Sequence, residues 1–141
     1  MDEIMLADSL RAVTHRLARR LNAAAASDRM PTLHRDILAM LDLQDGLTSA
    51  DLARRFEVTP QATNQAVAVL VGQGLLARRG DTEDRRRQLL SLTEPGRTAI
   101  GDVRTTKNAW LAERLVTRAT GADRDCLQQA VTILQRLVEE H

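Results

Sequence analysis

At 141 residues and a net charge of +1, the chain suits one domain with helical extensions, and its near-neutrality excludes a globally basic nucleic-acid coat. A 43% hydrophobic composition with one Phe, one Trp and no Tyr leaves the core to Leu, Val, Ala and Ile, which suits helix packing better than a sheet sandwich. The single cysteine, Cys126, excludes an intramolecular disulfide. The lack of a signal peptide, or of an apolar run of about 20 residues, points to a cytoplasmic protein with no membrane partner.

Taken in order, Leu6, Leu10, Val13, Leu17, Leu21 and Ala24 recur in steps of three and four, one stripe of a long amphipathic helix from Asp2 to Ala26. Ser27-Asp28-Arg29-Met30-Pro31 breaks it, because Pro31 pushes Met30 out of helical geometry. A second helix from Thr32 carries Leu33, Ile37, Leu38 and Leu41 and is expected to end near Asp45-Gly46. Thr48 caps a third, with Asp51 in the reciprocal position, and Phe56 near its end. Glu57-Val58-Thr59 then turns into a fourth helix from Pro60 to about Gly74, capped by Thr59 and with Pro60 in its first turn.

Leu75 to Arg79 and Gln88 to Leu92 read as two short strands around Gly80-Asp81-Thr82-Glu83-Asp84-Arg85-Arg86-Arg87. Thr93 caps a long helix through Trp110 to about Ala119, and Thr120 with Asp123 caps a last one bearing Leu127, Val131, Leu134, Leu137 and Val138. Amphipathic helices at both ends bury each other most simply in a homodimer.

The run from Leu47 to Gly96 therefore reads as a helix-turn-helix followed by a charged hairpin. On the fourth helix, Thr63, Ala66, Val67 and Leu70 share one arc; Gln61, Asn64, Gln65 and Ala68 share the opposite one, with Ala62 at its edge. A solubilising surface usually carries Lys and Glu. Amides suit a major groove, where Asn and Gln pair with adenine N6 and N7 and alanine methyls meet thymine methyls. Residues 78–97 carry six arginines against four acids, so positive charge is concentrated locally. The arginines of the hairpin suit phosphates and a narrow minor groove. Asp84 would be structural, accepting hydrogen bonds from a neighbouring arginine. The competing readings are an ordinary polar helix face and a solvated arginine run.

The residues Leu52-Ala53, Val58-Thr59, Leu70, Gly74-Leu75, Arg78, Asp84-Arg85-Arg86 and Leu92-Thr93-Glu94-Pro95-Gly96 together resemble the MarR family of winged helix-turn-helix regulators. The D-x-R wing motif, matched by Asp84 and Arg86, and the Leu-Thr-x-x-Gly that follows are its most specific parts; the likeness is strongest over about residues 47–97. It implies a homodimer with interlocked terminal helices on a pseudo-palindromic operator. It also implies that the Pro60–Gly74 helix reads the major groove, that Arg86 enters the minor groove and that Asp84 braces the wing. Many members have an arginine where this chain has Gln65, a departure that bears on base preference.

Similar proteins often respond to small anionic phenolic ligands, to oxidation or to metal, and their ligand cleft lies between the dimerisation helices and the winged lobe. Trp110 is either core packing or a wall that stacks on an aromatic effector; His34 and Arg35 are candidates to face the same cleft and bind a carboxylate. Cys126 follows Asp123, Arg124 and Asp125 and has no second cysteine to resolve it, which favours a structural thiol over a sensor. His15, His34 and His141 lie far apart with no ligand at i+3 or i+4, so no metal site is expected.

The expectation is thus a mainly α (α+β) fold: a winged helix-turn-helix with long N- and C-terminal dimerisation helices. Residues 1–141 form a single MarR-type domain, with 31–97 as the DNA-binding lobe and 1–30 and 98–141 as the dimerisation region. The function expected is that of a homodimeric, sequence-specific repressor binding double-stranded DNA, released by a small aromatic or anionic effector. Its DNA contacts would come from Thr59, Pro60, Gln61, Ala62, Asn64 and Gln65 on the helix and Asp84, Arg85, Arg86 and Arg87 on the wing. No catalytic residue, cofactor or metal is expected, since no nucleophile elbow, phosphate loop or paired-carboxylate motif stands out. The alternative is a winged module for protein interaction or non-specific DNA binding without effector response.

Overall fold

The computed structural model describes residues 1–26 and 30–140, so Ser27, Asp28 and Arg29 of the expected break, and His141, lie outside the described residues. The element order is α1 (Glu3–Ala24), α2 (Thr32–Leu43), α3 (Ser49–Arg55), α4 (Pro60–Gly72), β1 (Leu76–Gly80), β2 (Gln88–Leu92), α5 (Glu94–Arg118) and α6 (Gly121–Val138). The fold is the mainly helical winged helix-turn-helix that the sequence predicts.

Helix starts follow local chemistry. Asp2 accepts the Met5 N–H at 2.8 Å, and Thr59 accepts that of Ala62 at 3.1 Å. Thr48/Asp51 and Thr120/Asp123 each form a reciprocal capping box. The turn before α4 places Glu57 at φ 52, the left-handed region where a side chain is strained. At the far end of α5, the Arg124 guanidinium donates to the Leu115 and Ala119 carbonyls at 3.2 and 3.1 Å, which lack helical partners.

Two boundaries move for a physical reason. The helix expected to reach Asp45-Gly46 stops at Leu43, because the chain beyond it is drawn onto the sheet. Gly46 donates to the Leu90 carbonyl at 3.0 Å, and Leu90 donates to the Leu47 carbonyl at 2.8 Å. Leu75, expected in the first strand, instead donates its N–H to the Leu70 carbonyl at 2.9 Å and closes the end of α4.

β1 and β2 form an antiparallel pair running from Leu76↔Leu92 to Gly80↔Gln88. The base of this hairpin packs into the lobe: Leu76, Leu90 and Leu92 join Ile37, Leu38 and Leu41 of α2, Leu52 of α3, Ala66, Val67 and Leu70 of α4, and Ile100 of α5. Each fully buried aliphatic side chain here contributes about 1.5–3 kcal/mol. The hairpin's other end projects into solvent.

Gly96 explains the glycine of the Leu-Thr-x-x-Gly run. A Cβ there would lie 2.1 Å from the Leu75 carbonyl oxygen, so α5 starts backbone against backbone on the exit from α4. Thr93 completes the join, donating its hydroxyl to Gly74 O at 2.5 Å and accepting the Gly96 N–H at 3.1 Å.

The terminal helices differ. Neither α1 nor α6 buries a single residue. Ile4, Met5, Leu6 and Val13 on α1, and Leu127, Val131, Leu137 and Val138 on α6, lie exposed on the single chain.

Candidate nucleic-acid interface

α4 sorts its side chains as the wheel predicts. Thr63, Ala66, Val67 and Leu70 are buried against the lobe. Thr59, Pro60, Gln61, Asn64, Gln65 and Ala68 are exposed, and Ala62 is half-buried. Thr63 satisfies its hydroxyl within the helix, on the Thr59 carbonyl at 3.1 Å. The outer face is therefore a row of free amides and small methyl groups held by a fixed apolar underside.

The wing is ordered by two aspartates. Asp84 Oδ1 accepts the Arg86 N–H at 3.0 Å, and the Asp84 carbonyl accepts the Arg87 N–H at 3.0 Å. The expected brace thus acts on the backbone of an arginine, not on a guanidinium. Asp81 does as much, and sequence reasoning assigned it no role. Its N–H donates to the Arg87 carbonyl at 3.0 Å, its Oδ1 accepts the Glu83 N–H at 3.0 Å, and its Oδ2 lies 3.5 Å from the Arg87 guanidinium. The available signal was the aspartate two residues before Glu83, the spacing of an Asx turn.

Ion pairs divide the arginines. Arg79 pairs with Asp45 at 3.2 Å, Arg87 with Asp81, and Arg54 with Asp51. Among the described residues, Arg78, Arg85 and Arg86 make no ion pair and stand exposed. The predicted wing set thus splits: Arg85 and Arg86 are free cations, whereas Arg87 is engaged.

Helix face and wing share one cleft of about 550 Å³, lined by Thr48, Asp51, Arg54, Asn64, Arg86 and Arg87 among others. The Thr48 N–H, donated to Asp51 Oδ2 at 3.0 Å, holds that carboxyl below the usual carboxylate range against the opposing effect of burial. The charges of Arg54 and Arg87 lower it further. The Asn64 amide beside the start of α3, across from Arg86 and Arg87, suits a duplex: base edges to the helix, sugar-phosphate to the wing.

The residues expected at an effector cleft are not brought together. Arg35 is buried, and its guanidinium donates to the Asn22 carbonyl and to Thr32 Oγ1, each at 3.1 Å, while its Nε has no partner. At the start of α2 it reaches the last carbonyls of α1, which attract a cation, so it ties two helices and does not face an open cleft. His34 Nδ1 is buried without a partner, and burial lowers the ring's pKa. Trp110 lies elsewhere on α5, its ring 4.6 Å from the Arg114 guanidinium and 5.9 Å from that of Arg20. Lys107 of α5 donates to Asn22 Oδ1 at 3.0 Å, a second tie to α1.

Cys126, expected as a structural thiol, is exposed on α6. Among the described residues no group of three or more His, Cys, Asp or Glu side chains is placed to hold a metal. No described helix is long and apolar enough to cross a membrane.

Known proteins share this architecture and sequence. Residues 30–87 match the MarR family. An HTH-type transcriptional regulator of Mycobacterium bovis is 30% identical, with 96% of this chain and 94% of that protein covered. A candidate transcriptional regulator from Pseudomonas aeruginosa superimposes with a TM-score of 0.81 at 25% identity, covering 99% of this chain and 97% of its own. A mutant of S. aureus MepR bound to an oligodeoxyribonucleotide shares the fold, with a TM-score of 0.65 at 19% identity and coverage of 95% and 98%. The chain belongs to the MarR family of winged helix-turn-helix, DNA-binding transcriptional regulators.

Proposed function

We propose that this regulator is a cytoplasmic homodimeric repressor that binds a pseudo-palindromic operator and leaves it when a small aromatic or anionic effector binds. One observation carries the DNA-reading part: Asn64 of the exposed amide row of α4 and the unpaired Arg86 of the wing border a single cleft. Gln61, Asn64 and Gln65 read base edges in the major groove, with Thr59, Pro60 and Ala62 bringing the helix start close to the backbone. Arg86, with Arg85, enters the adjacent minor groove, and Asp84 holds the turn that presents it.

Residues 31–97 act as the reading lobe, and residues 1–30 and 98–141 pair the chains. The dimer is supported by the apolar side chains of α1 and α6, among them Ile4 at 79%, Leu137 at 67% and Val138 at 78% exposure. Rows of large aliphatic groups left this open mark an interface. The effector reading is supported by Trp110 alone, whose ring lies 4.6 Å from the Arg114 guanidinium and 5.9 Å from that of Arg20, cations that suit an aromatic anion.

Operator selection from a random duplex pool, followed by titration of variants, tests the reading. Arg86→Ala should weaken binding by about 1–3 kcal/mol and lower the salt slope by about 1, whereas Gln65→Ala should shift base preference with the slope kept. Wild-type affinity in Arg86→Ala would falsify the wing assignment.

A further inference from the structure

The wing carries acids where a DNA-facing loop gains from having none. Asp84 has a duty in the turn, through the Arg86 N–H. Asp81 has a larger one: its side chain is only 14% exposed, its Oδ1 accepts the Glu83 N–H, and its Oδ2 faces the Arg87 guanidinium at 3.5 Å. The backbone of Arg87 is held at both ends as well, its carbonyl by the Asp81 N–H and its N–H by the Asp84 carbonyl, each at 3.0 Å. Arg87 therefore closes the loop as a side chain and as a backbone unit. It also lines the cleft with Asp51, at the start of α3, and with Asn64 on the reading face.

We propose that Arg87 is a positioning residue and not a DNA contact: paired with Asp81 and lining the cleft opposite α3, it sets the distance between the wing and the reading face of α4. The inference rests on the reading of α4 and the wing as the DNA-contacting elements. The physical ground is charge balance. A guanidinium beside the carboxylate of Asp81, with that of Asp51 also near, keeps little net charge for a phosphate, while Arg85 and Arg86 keep all of theirs. Groove spacing in a duplex is fixed, so a wing free to tilt loses the contact of Arg86 without any change in Arg86 itself.

Charge alone and the clamp predict opposite signs for Asp81→Asn. Removing an acid from a loop beside phosphates should tighten binding; releasing a clamp should weaken it. Asparagine keeps the Oδ1 acceptor for the Glu83 N–H, so the turn itself survives.

The experiment is a fluorescence-anisotropy titration of the full chain on its selected operator across salt concentrations, with a thermal melt of each variant. The expected result is about fivefold weaker binding for Asp81→Asn and for Arg87→Gln, each with a salt slope lowered towards that of Arg86→Ala, because the Arg86 contact is lost with the clamp. The double variant should bind no more weakly than either single one. Arg87→Lys should retain more affinity than Arg87→Gln, since an ammonium keeps the charge that faces Asp81 Oδ2, which meets a single guanidinium nitrogen; if the glutamine variant melts early, the sign of the Asp81→Asn effect decides the matter. Tighter or unchanged binding by Asp81→Asn, or a further loss of affinity and slope when Arg87→Gln is added to Arg86→Ala, would overturn the proposal. Arg86→Ala run in parallel separates the two readings: wild-type affinity there contradicts the wing assignment, while the sign of the Asp81→Asn effect still decides the clamp.

Discussion

The winged lobe and the terminal helices obey different rules of stability. From α2 to the start of α5, every element contributes to one aliphatic core, with Ile37, Leu38, Leu52, Leu70, Val67 and Leu90 sealed from solvent. α1 and α6 are longer than α2, α3 or α4, yet neither buries a residue. The lobe is complete within one chain. The helices around it are amphipathic but uncovered on the single chain, which is the ground for the proposed dimer.

The largest test of the contrast sits in the core. Leu38→Ala should cost about 2–5 kcal/mol at any protein concentration, because the lobe cannot refill the space. Leu137→Ala on α6 should leave the lobe's own stability nearly unchanged and make the melting temperature depend more steeply on chain concentration. Equal, concentration-independent losses would break the distinction between the two regions.

Gly96→Ala comes next. Its methyl group has no room against the Leu75 carbonyl, so a loss of about 3 kcal/mol is expected by chemical denaturation. A neutral effect would mean that α5 is free to slide away from the lobe.

Smaller effects probe the helix-turn-helix. Thr48→Ala removes the cap of α3 and should cost about 1 kcal/mol. Glu57→Gly should stabilise by about 0.5–1 kcal/mol, since glycine accepts the positive φ of that turn without strain. The Asp51 carboxyl is held low by the Thr48 N–H, so its contribution is present above the ordinary carboxylate pKa and is lost as pH falls through its lower folded value.

His34 gives the smallest signal. Burial disfavours its charged form, so stability falls as pH drops below the ordinary value of 6.5 and levels off once the folded ring also takes up its proton. The decline between neutral and mildly acidic pH should shrink in His34→Gln; an unchanged decline would show that the ring does not carry it.

Most of the lobe is legible in the sequence because its signals are local. Thr48 with Asp51, Thr59 with Pro60 and Thr120 with Asp123 announce helix starts, and the wheel of α4 separates reader from anchor. What is not legible depends on partners distant in the chain. Nothing near Leu43 says that Gly46 and Leu47 will be drawn onto β2. Nothing near Arg35 says that the last turn of α1 will claim its guanidinium. Arg85, Arg86 and Arg87 look alike in sequence, and only the pairing of Asp81 separates the engaged one from the free ones. The residues expected at an effector cleft were the least legible part, because the Asn22 carbonyl that claims Arg35 and the Arg20 guanidinium near Trp110 both come from α1, far away in the chain.

The most direct test of the whole reading is a hydroxyl-radical footprint on the selected operator, with the number of bound chains measured on the same duplex. Two chains should protect two half-sites on one face of the helix, their centres about 10 bp apart or a multiple of that. One chain protecting a single isolated patch would contradict it.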